Sequence, residues 1–209
     1  MKIIFDEEKK EFLIHTNSTT YGIAIVDGKY VAHMYYGKYL DERDLRYLLR
    51  EDEAPLVPSV NLREKGAFLD CAAFEYPETG MGDYRESAFC VRSQDGHRAS
   101  ELVYTGYEIM EGKPALEGLP SVWGKKEECA TLKIFCLDRL LGIKVTLLYS
   151  VMEDSDAVIR SVFVENQGKE SVYLEKVLSA CLDMDDRNFQ VLGLFGSWAR
   201  ERHIQRMPL

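Results

Sequence analysis

Ile143-Lys144-Val145-Thr146-Leu147-Leu148-Tyr149-Ser150-Val151 sets the class of the fold. Ile143, Val145, Leu147, Tyr149 and Val151 fall on one side of an extended chain, and Lys144, Thr146 and Ser150 on the other. This is the period-2 pattern of a half-buried strand, broken only at Leu148. Similar β-rich runs occur at Tyr21–Val26, Tyr30–Tyr36, Ala88–Val91, Leu102–Ile109, Thr131–Leu137, Val158–Glu165 and Val172–Leu182. Asp27-Gly28 and Asp95-Gly96 separate some of them and supply the positive φ that tight hairpins demand. Glu111-Gly112-Lys113-Pro114 and Asn166-Gln167-Gly168 mark longer turns. One short helical segment is expected at Asp41–Arg50, where Leu45, Leu48 and Leu49 recur at helical spacing. Many strands, short turns and almost no β-α alternation predict a mainly β fold, a large antiparallel sandwich.

The chain has 209 residues, 46% of them hydrophobic, which is enough to bury a core. Its net charge is −9, without a clustered basic face, so nucleic acid is not expected as a partner. Charge interrupts Met1-Lys2-Ile3-Ile4-Phe5-Asp6-Glu7-Glu8 too early for a signal peptide, and no apolar run reaches membrane-spanning length. Cys71, Cys90, Cys129, Cys136 and Cys181 are odd in number and lack a C-x-x-C pair. That usage fits a reducing, cytoplasmic setting without a membrane partner.

Signals for chemistry are sparse. His15, His33, His97 and His203 have no zinc spacing, so no metal site is expected and they read as satisfied or exposed histidines. Asp183-Met184-Asp185-Asp186 lacks the glycine and closing glutamate of a calcium loop. Leu194-Phe195-Gly196-Ser197-Trp198 is not a nucleophile elbow. Cys90, Cys136 and Cys181 lie in apolar runs and read as small core residues. A glycosidase needs two carboxylates across a scissile bond, and 35 acids select no pair by number. The region from about Leu49 to Gly82, with Pro55, Pro58, Gly66, Pro77 and Gly80, breaks the strand rhythm and is the first place to look for contacts.

That irregular region opens a specific resemblance. Phe68-Leu69-Asp70, Phe74-Glu75-Tyr76-Pro77 and Gly80-Met81-Gly82-Asp83-Tyr84-Arg85 are similar, in this order, to motifs in the amino-terminal domain of family 36 glycoside hydrolases, the microbial α-galactosidases. The likeness begins at Tyr30, Ala32-His33, Tyr35 and Gly37. It continues through Gly112-Lys113-Pro114, Gly118-Leu119-Pro120, Tyr149-Ser150-Val151, Ile159-Arg160-Ser161 and Ser179-Ala180-Cys181-Leu182-Asp183. It closes on Gly196-Ser197-Trp198-Ala199-Arg200-Glu201-Arg202 and so covers nearly the whole chain.

The resemblance implies an antiparallel β-supersandwich of the galactose mutarotase type, incomplete here, with residues 1–209 forming most of an amino-terminal domain. It places both catalytic carboxylates in a (β/α)₈ barrel outside this sequence, so that no catalytic residue lies in this chain and the parent enzyme hydrolyses terminal α-galactosides by a retaining mechanism. It implies a galactoside substrate, no cofactor and a homo-oligomer, a tetramer in the full-length parent. Asp52 and Lys65 are implied as substrate contacts lent to a neighbouring subunit, Lys65 standing where the family has arginine and so unable to make the planar two-point bond. Asp83 and Arg85 could tether the loop around Tyr84 by a charge-assisted bond. Trp198 is either a sugar-stacking platform or, more in keeping with its size, a buried core aromatic. The competing expectation is a stand-alone carbohydrate-binding or assembly module without hydrolase activity.

Overall fold

The computed structural model describes residues 2–41, 44–49, 72–80, 85–118, 121–184 and 186–208. Two four-stranded antiparallel meanders face each other. The first is ordered β1 (Lys2–Asp6), β2 (Glu11–His15), β3 (Thr19–Val26) and β4 (Tyr30–Lys38). The second is ordered β6 (Val103–Glu111), β7 (Cys129–Asp138), β8 (Ile143–Met152) and β9 (Val158–Asn166). Between these in sequence, β5 (Phe89–Arg92) pairs with β10 (Tyr173–Val177). A two-stranded ribbon, β11 (Gln190–Ser197) with β12 (Arg200–Pro208), completes the described strands.

The main core lies between the meanders. Phe12, Ile14, Ile23 and Ile25 from the first meet Leu132, Ile134, Val145, Leu147 and Tyr149 from the second, with Phe89 and Val91 of β5 at one side. These are the period-2 positions of their strands, and every expected β run contains an observed strand. The run at 172–182 contributes only Tyr173–Val177. Asp27 (φ 51°) and Gly28 (φ 66°) supply the two successive positive φ values of the three-residue connection between β3 and β4, where Lys29 N–H donates to the Val26 carbonyl (2.9 Å). Asp95-Gly96 also forms a turn, with Gly96 N–H donating to the Ser93 carbonyl, but β5 finds its partner in the distant β10.

Two expectations are corrected, and strand β2 lies outside the expected runs. β8 is not half-buried: Thr146, Leu148 and Ser150 are 8%, 2% and 2% exposed, because the second face is covered as well. There the Ser150 hydroxyl bonds to that of Thr131, which also bonds the Gly112 carbonyl. Strand β2 escapes a period-2 reading because every residue from Glu11 to His15 is buried. Leu13, Ala24, Val26, Ala32 and Met34 form a second cluster on the outer face of that sheet, closed by Leu45 and Leu49. The described part of the expected helix is only a 3-10 turn, Arg46–Leu48, and its work is to plug Leu45 and Leu49 onto the sheet.

Gly80 has φ +142°, and a Cβ there would stand 2.8 Å from both Ala99 Cα and Ser100 N. Both obstacles are backbone, so Gly80→Ala is expected to lower stability by about 1–2 kcal/mol, read from urea unfolding. An unchanged midpoint would contradict this packing.

Candidate functional site

The densest polar constellation lies inside the sandwich, centred on Glu75. Residues 73–75 run alongside β4: His33 N–H donates to the Ala73 carbonyl (2.6 Å), Glu75 N–H donates to the Val31 carbonyl (3.0 Å), and Phe74 bridges Ala32. This short addition points the Glu75 side chain between the meanders, where it is fully buried.

Four side chains converge on its carboxylate. Tyr21 of β3 donates its hydroxyl to Glu75 Oε1 (2.7 Å) and Oε2 (2.9 Å), and Tyr149 of β8 donates to Oε2 (2.7 Å). His33 Nδ1 lies 2.8 Å from Oε1 and Arg160 Nη1 of β9 lies 2.6 Å from Oε2. Tyr149 and Arg160 are cross-strand partners, which puts the guanidinium 3.8 Å over the Tyr149 ring. A bulge leaves Met34 without a register partner and sets His33 opposite Ile23 and Tyr35 opposite Gly22. Arg160 Nε and Nη2 are enclosed and make no hydrogen bond among the described residues.

Burial alone would raise the Glu75 pKa, yet it is lowered to about 2. The hydrogen bond from His33, the charge of Arg160 and the Tyr21 hydroxyl together outweigh desolvation. The same surroundings, burial first, push the Tyr21 and Tyr149 hydroxyls far up. Glu75 is therefore ionised at neutral pH and sealed from solvent. It has neither the proton nor the access that a general acid needs, and what it can do is clamp the two sheets.

The rest of the Phe74–Pro77 motif extends the clamp. Tyr76 donates its hydroxyl to the Leu178 carbonyl (3.0 Å), and the Pro77 carbonyl accepts from the Ala88 and Phe89 amides. Arg85 pairs with Asp183 at 2.7 Å, so the charge-assisted tether expected at this loop runs to the Ser179–Asp183 motif. Asp83 and Tyr84 lie outside the described residues.

Another carboxyl of interest follows in the same segment, on the half-buried Glu78. Glu78 Oε1 accepts the Leu102 amide (2.6 Å), while Oε2 is enclosed with no partner among the described residues. Burial raises its pKa to about 7, aided by the negative charges of Asp138 and Glu101. Its value suits an acid catalyst, but its oxygens face the protein interior.

Asp52 and Lys65 lie outside the described residues. Trp198 is at the tip of the ribbon, 93% exposed in this chain and a member of neither core cluster, so it is not the buried core aromatic expected. Of the histidines, His33 is satisfied by Glu75 and His97 lies 3.6 Å from Asp95. Among the described residues no three potential ligands cluster for a metal, and no helix is long and apolar enough to cross a membrane. Cys136 is buried as expected, its thiol pushed up to about 12 by burial, whereas Cys90 and Cys181 are only half-buried because they flank the exposed β10 side.

The Glu75 cluster was not singled out from sequence, although each member falls in a quoted segment. The available signals were an arginine inside the apolar run Val158–Glu165 and a glutamate among aromatics at Phe74–Pro77.

Known proteins share this architecture. The chain is 36% identical to the bifunctional α-galactosidase/sucrose kinase AgaSK of Mediterraneibacter gnavus, over 100% of its own length and 22% of that protein's. The solved galactosidase domain of AgaSK superposes with a TM-score of 0.90 over 100% of this chain and 29% of that one. This chain is also 36% identical to the α-galactosidase Mel36A of Lactobacillus acidophilus, over 98% of its own length and 28% of the relative's. A raffinose complex of a variant of the family 36 α-galactosidase AgaA from Geobacillus stearothermophilus matches with a TM-score of 0.85 at 33% identity, covering 96% of this chain and 28% of that one. The chain thus spans between a fifth and a third of the length of these proteins. The family model for the glycosyl hydrolase family 36 N-terminal domain matches residues 29–209, and this chain belongs to that family.

Proposed function

We propose that this chain serves as the amino-terminal, non-catalytic part of a retaining α-galactosidase that cleaves terminal α-galactosides from raffinose-type oligosaccharides. Its role is to assemble the enzyme and to form the rim of the site. The observation that carries this reading is the match of the entire chain to only 29% of a galactosidase domain at a TM-score of 0.90. Glu75 supports it, since the most firmly held carboxylate here is a buried clamp and not an accessible acid.

On this reading the two catalytic carboxylates belong to the remainder of the parent, Asp52 and Lys65 reach the substrate of a neighbouring subunit, and the assembly is a homo-oligomer. Trp198, with its ring open to solvent, can offer the flat apolar face that stacks on a pyranose. Cys90, Cys129 and Cys136 are thiols rather than disulfides, which suits a reducing cytoplasm.

An aryl α-galactoside assay tests the division of labour. The 209-residue chain should release no aryl alcohol above background, while a protein extending it through a barrel should turn over. Turnover by the chain alone would overturn the placement of the catalytic pair.

A further inference from the structure

A cleft of 320 Å³ lies where three connections of the fold meet: the β7–β8 turn (139–142), the β9–β10 connection (168–172) and the exit of β5 at Ser93 and Gln94. Small-molecule sites run from roughly 300 to 1,000 Å³, so this one is at the lower end of that range. Its walls are held by the chain's own bonds. Asp138 Oδ1 accepts the Leu140 and Leu141 amides (2.8 Å each), and Gly142 N–H donates to the Asp138 carbonyl (2.9 Å). Gln94 Nε2 donates to Ser171 Oγ (2.7 Å) and ties the β5 exit to the β9–β10 wall. The two turns touch backbone to backbone: a Cβ on Gly142 would stand 2.7 Å from Gly168 Cα, and one on Gly168 would collide with the Leu141 carbonyl oxygen. The shape of the cleft is therefore set before a ligand arrives, which lowers the cost of binding.

The wall chemistry selects the ligand. Arg139 and Lys169 line the cleft against the single acid Glu170, in a chain whose net charge is −9. Neither cation forms an ion pair among the described residues. Asp138, the acid next to Arg139 in sequence, is already engaged by the amides of Glu101, Leu140 and Leu141. An anionic group thus finds two donors, and the arginine fork suits a phosphate. Ser171 accepts from Gln94 and keeps its own hydroxyl proton to donate, while Gln94 keeps a second amide hydrogen and its carbonyl oxygen. Those are partners for hydroxyl groups. Leu140 and Leu141 supply an apolar strip that the C–H face of a sugar ring can cover. A free phosphate would use the cations and leave the rest of this volume unfilled.

We propose that this cleft binds a phosphorylated monosaccharide, with the phosphate held between Arg139 and Lys169 and the sugar hydroxyls by Gln94 and Ser171. The site does not rest on the hydrolase reading, and the two fail separately.

Isothermal titration calorimetry of the 209-residue chain tests the site, with galactose 1-phosphate, glucose 6-phosphate, galactose and inorganic phosphate as probes. One or both sugar phosphates should bind at least about tenfold more tightly than galactose or inorganic phosphate, and raised salt should weaken them. Arg139→Ala should weaken the sugar phosphate at least about tenfold, and Lys169→Ala should act in the same direction. Both side chains are exposed, so far-UV circular dichroism should report an unchanged fold. Lys29→Ala removes one positive charge at the β3–β4 connection and should leave the affinity unaltered. A protein extending the chain through a barrel should bind the same probe with the same preference. Sugar phosphates that bind no better than inorganic phosphate, an equal loss in Lys29→Ala, indifference to both cleft substitutions, or loss of binding in the extended protein each overturns the proposal.

Discussion

Glu75→Gln is expected to cost about 3–5 kcal/mol of folding stability, measured as a fall in the urea midpoint at unchanged slope. The substitution keeps the volume and removes the charge that neutralises Arg160, whose side chain is 8% exposed and whose Nε and Nη2 already lack partners among the described residues. An uncompensated guanidinium would then sit between two apolar sheets, and removing one half of a buried pair costs far more than the pair contributes. Arg160→Met should destabilise less, because Tyr21, Tyr149 and His33 still donate to the carboxylate. The double substitution Glu75→Gln/Arg160→Met should recover part of the Glu75→Gln loss, a coupling that additive effects would not produce. Tyr149→Phe removes one donor to a charged acceptor and should cost about 1.5–3 kcal/mol. The pair also fixes the acid limit. The Glu75 pKa is held at about 2 against an ordinary 4.5, so its contribution is complete above about 4.5 and is lost as pH falls towards 2. A Glu75→Gln variant as stable as the parent at pH 7 would show that the carboxylate is not ionised in the fold.

This cluster marks the boundary of what sequence reveals. Ile143–Val151 reads as a strand because alternate apolar side chains must be buried, and that logic reached every strand of the second meander. It failed at β2, where Glu11 and His15 are buried and alternation carries no signal. Neither burial is marked by the pattern: the Leu45 amide lies 3.4 Å from Glu11 Oε2 while Oε1 is enclosed without a partner among the described residues, and the hydroxyl of Thr20, the cross-strand partner of His15, lies 3.0 Å from its Nδ1. It failed again at the ribbon, whose apolar residues face water in this chain and so obey no inside–outside pattern. Glu75 and Arg160 stand 85 positions apart, and only the pairing of β8 with β9 and of residues 73–75 with β4 brings them together. The family motifs marked both segments, yet resemblance could not say that their charges meet.

Glu78 gives the opposite pH response, and the outcome distinguishes a strained carboxyl from a satisfied one. Its folded pKa is about 7 because burial disfavours the anion, a cost that the Leu102 amide and the Ser100 hydroxyl only partly offset and to which Asp138 and Glu101 add repulsion. In the unfolded chain the same group titrates near the ordinary 4.5. Below that value both states are protonated and nothing is lost. Between 4.5 and 7 the unfolded chain ionises more readily, so stability falls as pH rises, by about 2–3 kcal/mol in total once partial solvent screening is allowed for. Two other groups frame the measurement. Glu75 is ionised in both states throughout most of this window and contributes a constant. His15 works against Glu78, since burial lowers its pKa and its neutral form is favoured, so it destabilises as pH falls below the ordinary 6.5. Glu11, whose carboxyl burial also pushes up, adds a slope of the same sign as Glu78, so the raw stability curve mixes opposing slopes from several groups, and the Glu78→Gln variant isolates the part that belongs to Glu78. The amide that replaces the carboxyl cannot ionise, and its oxygen can still accept from the Leu102 N–H. The stability difference between variant and parent should shift in the variant's favour by about 2–3 kcal/mol between pH 5 and pH 8, read from urea unfolding at each pH. A difference independent of pH would mean that Glu78 titrates alike in both states, and a shift in the parent's favour would mean that the enclosed Oε2 has found a donor that stabilises its charge.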